Sequence, residues 1–409
     1  MKILLRLAWR NLWRHPRRTY LTLGAIIFSN TILVFMIGLQ LASYDLMIDN
    51  TLRSFSGHLQ IQAKGYLDRP QMHRSIPDGV GLAKRVRETT GQPDVAARAL
   101  GFALASSKER SYGVQVVGVQ PSFEPLVSTL PGLIKEGTYL RGDHNQHVVV
   151  GRVLARNLKI GIGDELTLLG SGMDGSFAAA VVKVVGIFES GSSELDRHLL
   201  EMPLTAFQQT FSMSDHVHSI VVSANDLRQA QALEKRINTL IKNDQDLVVH
   251  DWRALNPGLQ QAIKADFTSA WFMYGVLIVL VGFSVLNTSL MSVLERTREF
   301  GIVLALGLQP GRIGTLILLE ALIMGVIGFF GGIAAGASVN TYFSITGFSY
   351  PGMDEMAARF NMPSEIFPDL SVLSLVLGPT VVLLSTLLAA FYPALRVRRL
   401  QPVEAMQAI

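Results

Sequence analysis

The sequence contains no cysteine among its 409 residues. No disulfide can form, and thiolate metal sites and cysteine nucleophiles are excluded. Any part of the chain that lies in an oxidising compartment must therefore be held together by its hydrophobic core alone.

Charged residues are scarce. They make up 17% of the sequence against 49% hydrophobic residues, which is too few for an ordinary soluble chain of this length. The apolar excess lies in four runs, each long enough to reach the roughly 20 residues that cross a hydrocarbon core. The first run is too long, and its end too poor a cleavage site, for a signal peptide, so we expect it to remain as a membrane helix. The predicted spans are residues 19–42, 269–294, 313–339 and 370–395.

Motifs of known catalytic sites are absent. The sequence has no Gly-x-x-x-x-Gly-Lys-Ser/Thr, no His-Glu-x-x-His and no Gly-x-Ser-x-Gly. We therefore expect no ATP hydrolysis by this chain, no catalytic residue, and no metal or cofactor of its own. His216 and His218 have the spacing of two ligands on one strand face, but no third ligand accompanies them, and we interpret them as surface histidines. Gly161 and Gly163 lack the surroundings of a nucleotide loop and predict a tight helix-to-strand turn.

Basic residues are unevenly distributed around the apolar runs. Arginines are frequent before the first run, between the second and third, and after the fourth, whereas residues 340–369 hold four acids and one arginine. The positive-inside rule then places both termini in the cytoplasm and the long segment between the first two runs outside. The net charge of +4 is mostly this topology signal, and we expect no nucleic-acid partner.

The hydrophilic segment at residues 43–268 predicts an external α+β domain, because strand and helix patterns alternate along it. A cluster of prolines and glycine at 120–140 suggests a boundary between two subdomains. Residues 1–18 predict an amphipathic helix lying on the membrane surface, an external loop covers 340–369, and a cytoplasmic tail covers 396–409. We expect strands at residues 58–62, 99–106, 113–119, 148–150, 164–169, 178–188, 219–224 and 247–250, and helices at 79–89, 153–158, 203–211 and 227–242.

Small and polar residues inside the spans indicate helix contacts. Gly328, Gly332 and Gly336 recur every four residues and clear a groove for a second helix, either within the bundle or at a subunit interface; we favour the bundle. Glu320 is an acid near the interior of a span, and we expect it to hydrogen-bond to neighbouring helices through Asn287 or Thr288.

Residues 295–312 predict a short charged helix and a turn between the second and third spans. A solvated loop that only fixes topology is one interpretation. The apolar residues that follow the charges favour another, in which the helix rests on the bundle and presents its charges to a partner protein. The coupling residues would be Glu295, Arg296, Thr297, Arg298, Glu299 and Phe300.

Three separated pieces of the chain resemble the FtsX-like and MacB-type family of ABC transporter permeases. They are residues 7–22, residues 287–307 together with Glu320, and residues 392–406. The layout of one span, a large external domain and three more spans is most similar to the lipoprotein-releasing LolC and LolE permeases. The resemblance implies two copies of a separate ATPase that binds ATP and Mg, a second identical or homologous permease chain, and the bacterial inner membrane as location.

The resemblance implies that the chain transmits ATPase-driven movement across the membrane, which is called mechanotransmission. The ATPases move the coupling helix, the long first and second helices relay the movement, and the external domain extracts a lipoprotein or another amphiphile from lipid for a periplasmic carrier or adaptor. An FtsX-like regulator of a cell-wall hydrolase and a MacB-like efflux driver are the alternatives. The expected substrate contacts are apolar residues at the outer ends of the first two spans: Val34, Ile37, Leu41, Trp271 and Phe272.

Overall fold

The computed structural model describes residues 2–142, 146–360, 363–368 and 370–397. The helices are α1 (Lys2–Leu12), α2 (Pro16–Thr51), α3 (Gly79–Thr90), α4 (Glu124–Val127), α5 (Arg152–Leu158), α6 (Ser193–His198), α7 (Leu204–Thr210), α8 (Leu227–Leu240), α9 (Trp252–Leu255), α10 (Pro257–Glu295), α11 (Thr297–Ala305), α12 (Pro310–Thr346), α13 (Met353–Phe360) and α14 (Val372–Val397). The strands are β1 (Leu59–Ala63), β2 (Val95–Ser106), β3 (Ser111–Val119), β4 (Ile134–Gly137), β5 (His147–Gly151), β6 (Glu165–Ser171), β7 (Phe177–Phe188), β8 (Leu199–Pro203), β9 (Ser219–Val222) and β10 (Leu247–Asp251).

Within the described ranges, four helices are long and apolar enough to cross a membrane: α2, α10, α12 and α14. Two of them extend well beyond the predicted bounds. Helix α2 does not stop at residue 42 but continues to Thr51 and a π-helical turn that ends at Gly57, and α10 begins at Pro257 instead of residue 269. At ~1.5 Å per residue, α2 is about 54 Å long, whereas a bilayer core is about 30 Å thick. The predicted bounds are too short because they follow the apolar runs, and these cover only part of each helix.

The chain divides into two compact units, and the first contains residues 1–45, 262–350 and 365–409. Helix α12 is central to this unit, since it contacts both α14 and α1. Half of its buried residues are glycine or alanine, and larger apolar side chains of α2, such as Ile26 and Val34, fill the space beside its glycines. Close helix approach therefore holds this bundle together.

The second unit contains residues 46–261 and 351–364 and is built on a ten-stranded mixed sheet. The strand order is β10-β1-β9-β2-β3-β8-β5-β7-β4, and β6 pairs with both β2 and β7. The twelve-residue strand β2 joins the two halves, because its first residues pair with β9 and its later ones with β3 and β6. The α+β prediction is confirmed. Strands β3 and β5, on either side of the predicted subdomain boundary, both pair with β8 in the same sheet, and the boundary stays a prediction.

Two short strands were not predicted, β4 and β8. Each contains charged residues, and the apolar alternation that marks a strand is too brief in them to detect. The prolines near residue 130 form α4 and a 3-10 turn at Leu130–Leu133 instead of a linker. The turn at Gly161 is as predicted: Asp164 accepts a hydrogen bond from the Gly161 amide at 2.8 Å, directly before β6.

Candidate coupling site

The second and third membrane helices are joined by a short helix. The ladder of α10 ends at Glu295, Arg296 leaves the helical conformation with φ −105° and ψ 10°, and α11 begins at Thr297. Gly307, at φ +93°, follows α11 and supplies a left-handed turn that glycine tolerates best. Pro310 then occupies the first position of α12, where its missing amide costs nothing.

Helix α11 has one buried and one exposed side. Phe300 and Leu304 are buried in an apolar cluster at this end of the bundle. On the other side Arg298, Ile302 and Val303 are exposed, and Leu306, directly after the last residue of the helix, is 82% exposed. Exposed aliphatic side chains on a helix that is already anchored by its other face form an apolar surface of the kind that partner proteins or lipid cover. We call Arg298, Ile302, Val303 and Leu306 the coupling surface.

The two acids of this segment bind arginines from the start of the same chain. Glu299 accepts a hydrogen bond from Arg14 at 2.9 Å, and Glu295 accepts one from Arg18 at 2.8 Å. The hydrogen bond from Arg14 lowers the pKa of Glu299 and keeps the side chain ionised. Within the chain the N-terminal segment thus supplies partners for both acids, which remain 46% and 37% exposed, and their contact with a partner protein stays a prediction.

Glu320 is nearly buried on α12 and connects three segments. It accepts hydrogen bonds from Asn11 of α1 at 2.8 Å and from Arg296 at 3.3 Å. The expected partners Asn287 and Thr288 are wrong: Thr288 bonds to Thr22 of α2 at 3.0 Å, and Asn287 is exposed on α10. A cavity of about 30 Å³ lies beside Glu320, and it has room for about one water molecule.

The N-terminal helix α1 packs on the bundle by its small face. Ala8 and Leu12 are buried, whereas Trp9 and Trp13 are exposed and meet edge to face at 5.8 Å. This arrangement suits a helix at a lipid surface, with tryptophan at headgroup depth and Asn11 turned toward Glu320.

Comparison with known proteins covers both units. A family model described as FtsX-like permease C-terminal matches residues 271–402, and one described as MacB-like periplasmic core domain matches residues 19–240, more than half of the chain. The chain belongs to the FtsX-like, MacB-type permease family of ABC transporters. The resemblance predicted from the three sequence pieces is confirmed, and so is the layout of four apolar helices with a MacB-like domain after the first.

The relatives of this FtsX-like permease include lipoprotein-releasing proteins. It is 23% identical over 408 residues to the lipoprotein-releasing system transmembrane protein LolC of Xylella fastidiosa strain Temecula1, which covers 95% of this chain and 92% of that protein. It is 22% identical over 402 residues to LolE of Haemophilus influenzae, with 94% and 93% covered. The periplasmic region of MacB from Actinobacillus actinomycetemcomitans matches with a TM-score of 0.36 and 16% identity, over 50% of this chain and 92% of that structure.

The three predicted packing glycines of the permease face α2. A Cβ atom built on Gly328 would lie 2.3 Å from Ile26, one on Gly332 2.2 Å from Asn30, and one on Gly336 2.7 Å from Val34. Asn30 also donates a hydrogen bond to the carbonyl of Gly328 at 3.0 Å. The groove that they clear is occupied by a helix of the same chain.

The predicted substrate contacts do not share one environment. Val34 and Ile37 are buried in the bundle, where they fill the space beside Gly336 and Gly378, and their substrate role stays a prediction. Leu41 and Trp271 are half-buried, and Phe272 is 78% exposed. Sequence cannot separate these cases, since helix-facing and lipid-facing positions are equally apolar in a membrane span.

The sheet unit contains a buried polar network that sequence reasoning missed. Arg98 and Glu124 form a fully buried ion pair, and Arg98 also donates to the carbonyl of Phe55 in the turn that ends α2. Tyr139 donates to the buried Glu201 at 2.8 Å. Burial, followed by repulsion from Glu124, raises the pKa of Glu201 to about 8, so its carboxyl group is largely protonated at neutral pH. A single Arg in a strand pattern gave no signal of this network.

The predicted surface histidines differ from each other. His216 is partly buried, but His218 is fully buried and stacks on Tyr66 at 5.1 Å. The surface prediction is wrong for His218 because its ring accepts from the amide of Leu100 at 2.9 Å and faces the carbonyl of Met72 at 3.2 Å. Desolvation lowers the pKa of His218 to about 4. In the part of the chain that the structure describes, no group of His, Asp and Glu side chains has the arrangement of a metal site.

An apolar face is exposed on the sheet. Strand register places Leu104 opposite Leu169, Leu169 opposite Ala179, and Ser171 opposite Phe177, so these residues share one face. Its large exposed side chains are Phe102, Leu104, Phe177 and Val181, and a cavity of about 510 Å³ adjoins Phe102 and Leu104. We call these four residues the apolar sheet face. Patches of this kind on a folded domain mark interaction sites.

Proposed function

We propose that this chain is the permease subunit of an ABC transporter whose ATPase is a separate protein. In this proposal the ATPase binds the coupling surface of α11, and ATP-driven movement passes through the long helices to the sheet unit. That movement extracts a lipoprotein or another amphiphile from the membrane. The observation that carries the proposal is the exposed aliphatic side of α11, held between two membrane helices at the arginine-rich end of the bundle.

The location of the arginines supports a cytoplasmic position for α11 and for the chain start. Arg6, Arg10 and Arg14 precede α2, Arg298 lies on α11 and Arg312 at the start of α12, and the positive-inside rule assigns these positions to the cytoplasm. The sheet unit then lies in the periplasm, outside the bacterial inner membrane. Of the predicted C-terminal tail, 396–409, residues 398–409 lie outside the described residues.

The length and anchoring of α2 support its role as a relay. The end of α2 and its π-helical turn are fastened to the sheet unit, to which they belong. Arg53 donates to the carbonyl of Ala224 at 3.3 Å, Ser128 donates to the carbonyl of Ser54 at 2.9 Å, and Arg98 binds Phe55. A displacement of α2 would thus act directly on the sheet.

An amphiphilic substrate is supported by the relatives named for lipoprotein release and by two exposed apolar features, Phe272 on α10 and the apolar sheet face. Withdrawal of acyl chains from a bilayer costs about 0.8 kcal/mol for each buried CH₂, so ATP would have to supply the energy. The MacB-like core domain equally supports efflux driven together with an adaptor. Dependence on an adaptor would distinguish that second candidate.

The test is affinity purification of the tagged full chain in mild detergent, with mass spectrometry of the proteins and lipids retained. We expect the wild type to retain an ATPase. Leu306→Glu should abolish this retention, because it places a charge in the middle of an apolar contact, whereas Glu295→Gln should not, because Glu295 binds Arg18 of the same chain.

The matched control is Ile162→Glu, which makes the same kind of change at an exposed aliphatic residue of the sheet unit. Retention of the ATPase by Leu306→Glu at the wild-type level would show that α11 is not the docking element. A wild-type chain that retains no ATPase would refute the proposed function as a whole.

A further inference from the structure

Six charged residues form a closed set around the start of α11. Three ion pairs join separate segments of the chain: Arg14 with Glu299, Arg18 with Glu295, and Arg296 with Glu320. A fourth, Arg296 with Glu299 at 3.5 Å, is local to the start of α11. The set is electrically neutral, with three cations and three anions. Its members come from the N-terminal segment, the junction between α10 and α11, and the middle of α12.

The three pairs differ in exposure. The side chains of Arg14 and Glu299 are 54% and 46% exposed, so water and salt screen their attraction, and the pair can break at little cost. The side chains of Arg296 and Glu320 are each only 11% exposed. Separating a buried pair leaves an uncompensated charge, which is strongly unfavourable. We therefore expect the Arg296–Glu320 ion pair to stay intact while the other two ion pairs break and re-form.

Arg296 occupies the one residue at which the helical ladder is interrupted between α10 and α11. Its guanidinium also lies 5.0 Å from the ring centre of Phe300, the residue that seats α11 on the bundle. Glu320 accepts from Asn11 with the same oxygen that accepts from Arg296. One carboxylate thus fixes α1, the α10–α11 junction and α12 at a single point.

We propose that the Arg296–Glu320 pair is the pivot about which α11 tilts when the ATPase acts on the coupling surface. The more exposed pairs, Arg14–Glu299 and Arg18–Glu295, open and re-form during the tilt; the side chains of Arg18 and Glu295 are 27% and 37% exposed. Arg296 and Glu320 are positioning residues, since their nearly buried side chains leave the ATPase contact to the coupling surface. The inference rests on the proposed function and adds the point at which movement of α11 is transferred to the bundle.

The test separates a pivot from a merely structural pair. Arg296→Gln leaves the buried carboxylate of Glu320 without a cationic partner, and Glu320→Gln leaves Arg296 with only the exposed Glu299, 3.5 Å away. Each should therefore lower the yield of folded chain. The double variant removes both charges and should restore the yield. We expect it to retain the ATPase like the wild type but to lose nucleotide-driven movement.

Movement is read in nanodiscs with the co-purified ATPase, from an environment-sensitive maleimide dye on Phe177→Cys. The chain has no other cysteine, so the label is unique within it. The same complex without Phe177→Cys corrects for dye on the ATPase. The signal is the fluorescence change on addition of ATP with orthovanadate. The neutralised exposed pair, Arg18→Gln with Glu295→Gln, is the control and should keep the wild-type signal.

The double variant overturns the pivot if it keeps the full fluorescence change, since the pair would then be structural only. Loss of the ATPase by the double variant also overturns it, because the pair would then serve docking. Equal loss of signal in the exposed-pair control would remove the distinction on which the inference rests.

If the double variant does not accumulate, Arg296→Lys decides the question, because it keeps the charge and loses the planar fork. A full signal from that variant overturns the pivot, and a reduced signal with the ATPase retained supports it.

A failure of the proposed function would be recognised separately. It would appear in the wild type, as absence of the ATPase before any substitution is made.

Discussion

Replacing Gly332 by alanine tests whether close approach of α2 and α12 stabilises the bundle. The added Cβ atom would lie 2.2 Å from the Cβ atom of Asn30 and 3.2 Å from its amide nitrogen. Carbon atoms in contact need roughly 3.5–4.0 Å, so the two helices would have to separate by more than 1 Å. The hydrogen bond from Asn30 to the carbonyl of Gly328, now 3.0 Å long, would be stretched or lost.

The expected destabilisation follows from three contributions. Overpacking of a close contact costs about 1–3 kcal/mol. Loss of a hydrogen bond between membrane helices adds roughly 0.6–1 kcal/mol. The better helix propensity of alanine returns up to ~1 kcal/mol. We therefore expect Gly332→Ala to lower the free energy of unfolding by about 1–3 kcal/mol.

The assay is unfolding of the full chain in mild detergent by added SDS. The control is Gly275→Ala on α10, because a Cβ atom there would meet no atom within 4 Å. This variant gains the propensity of alanine without the contact, and it should unfold at or slightly above the wild-type SDS fraction. Equal midpoints for Gly332→Ala and Gly275→Ala would refute the reasoning. Leucine at position 332 should prevent assembly of the bundle altogether.

Two further predictions concern pH. Burial raises the pKa of Glu201 from 4.5 to about 8. The stability that its protonated form contributes is therefore complete below pH 4.5 and is lost as the pH rises to 8. The free energy of unfolding should fall by up to about 1.4 kcal/mol per pH unit in this range. Glu201→Gln should abolish this slope in urea unfolding of the full chain; an unchanged slope would contradict the assignment. Burial lowers the pKa of His218 from 6.5 to about 4, so stability should fall as the pH drops through this interval. His218→Gln should flatten that acid limb, and an acid limb as steep as in the wild type would place its cause elsewhere.

Local pattern was sufficient for much of the architecture. The four spans, the short helix after Glu295, and most strands follow from apolar runs and periodicity, which report what each segment can bury. Family membership followed from three short sequence segments, residues 7–22, 287–307 and 392–406. These features depend on residues close together in the chain, and sequence therefore contains them directly.

Partner choice across the chain could not be obtained in this way. Glu320 binds Asn11, which is 309 positions away, although Thr288 is nearer in sequence and equally polar. Glu295 and Glu299 looked free to meet a partner because nothing in a charge pattern shows that Arg18 and Arg14 will lie beside them. Long-range pairing depends on how helices pack, and many arrangements satisfy the same pattern.

The contrast between local sequence pattern and tertiary packing also applies to which residues of the membrane helices are buried. The sequence determined that Val34, Ile37 and Phe272 lie in apolar spans, since all three are hydrophobic within long runs. Only the tertiary structure decided that Val34 and Ile37 face glycines inside the bundle while Phe272 is exposed. In water, hydrophobicity separates inside from outside, but in a bilayer both sides of a helix are apolar. Packing between small and large residues makes that choice instead.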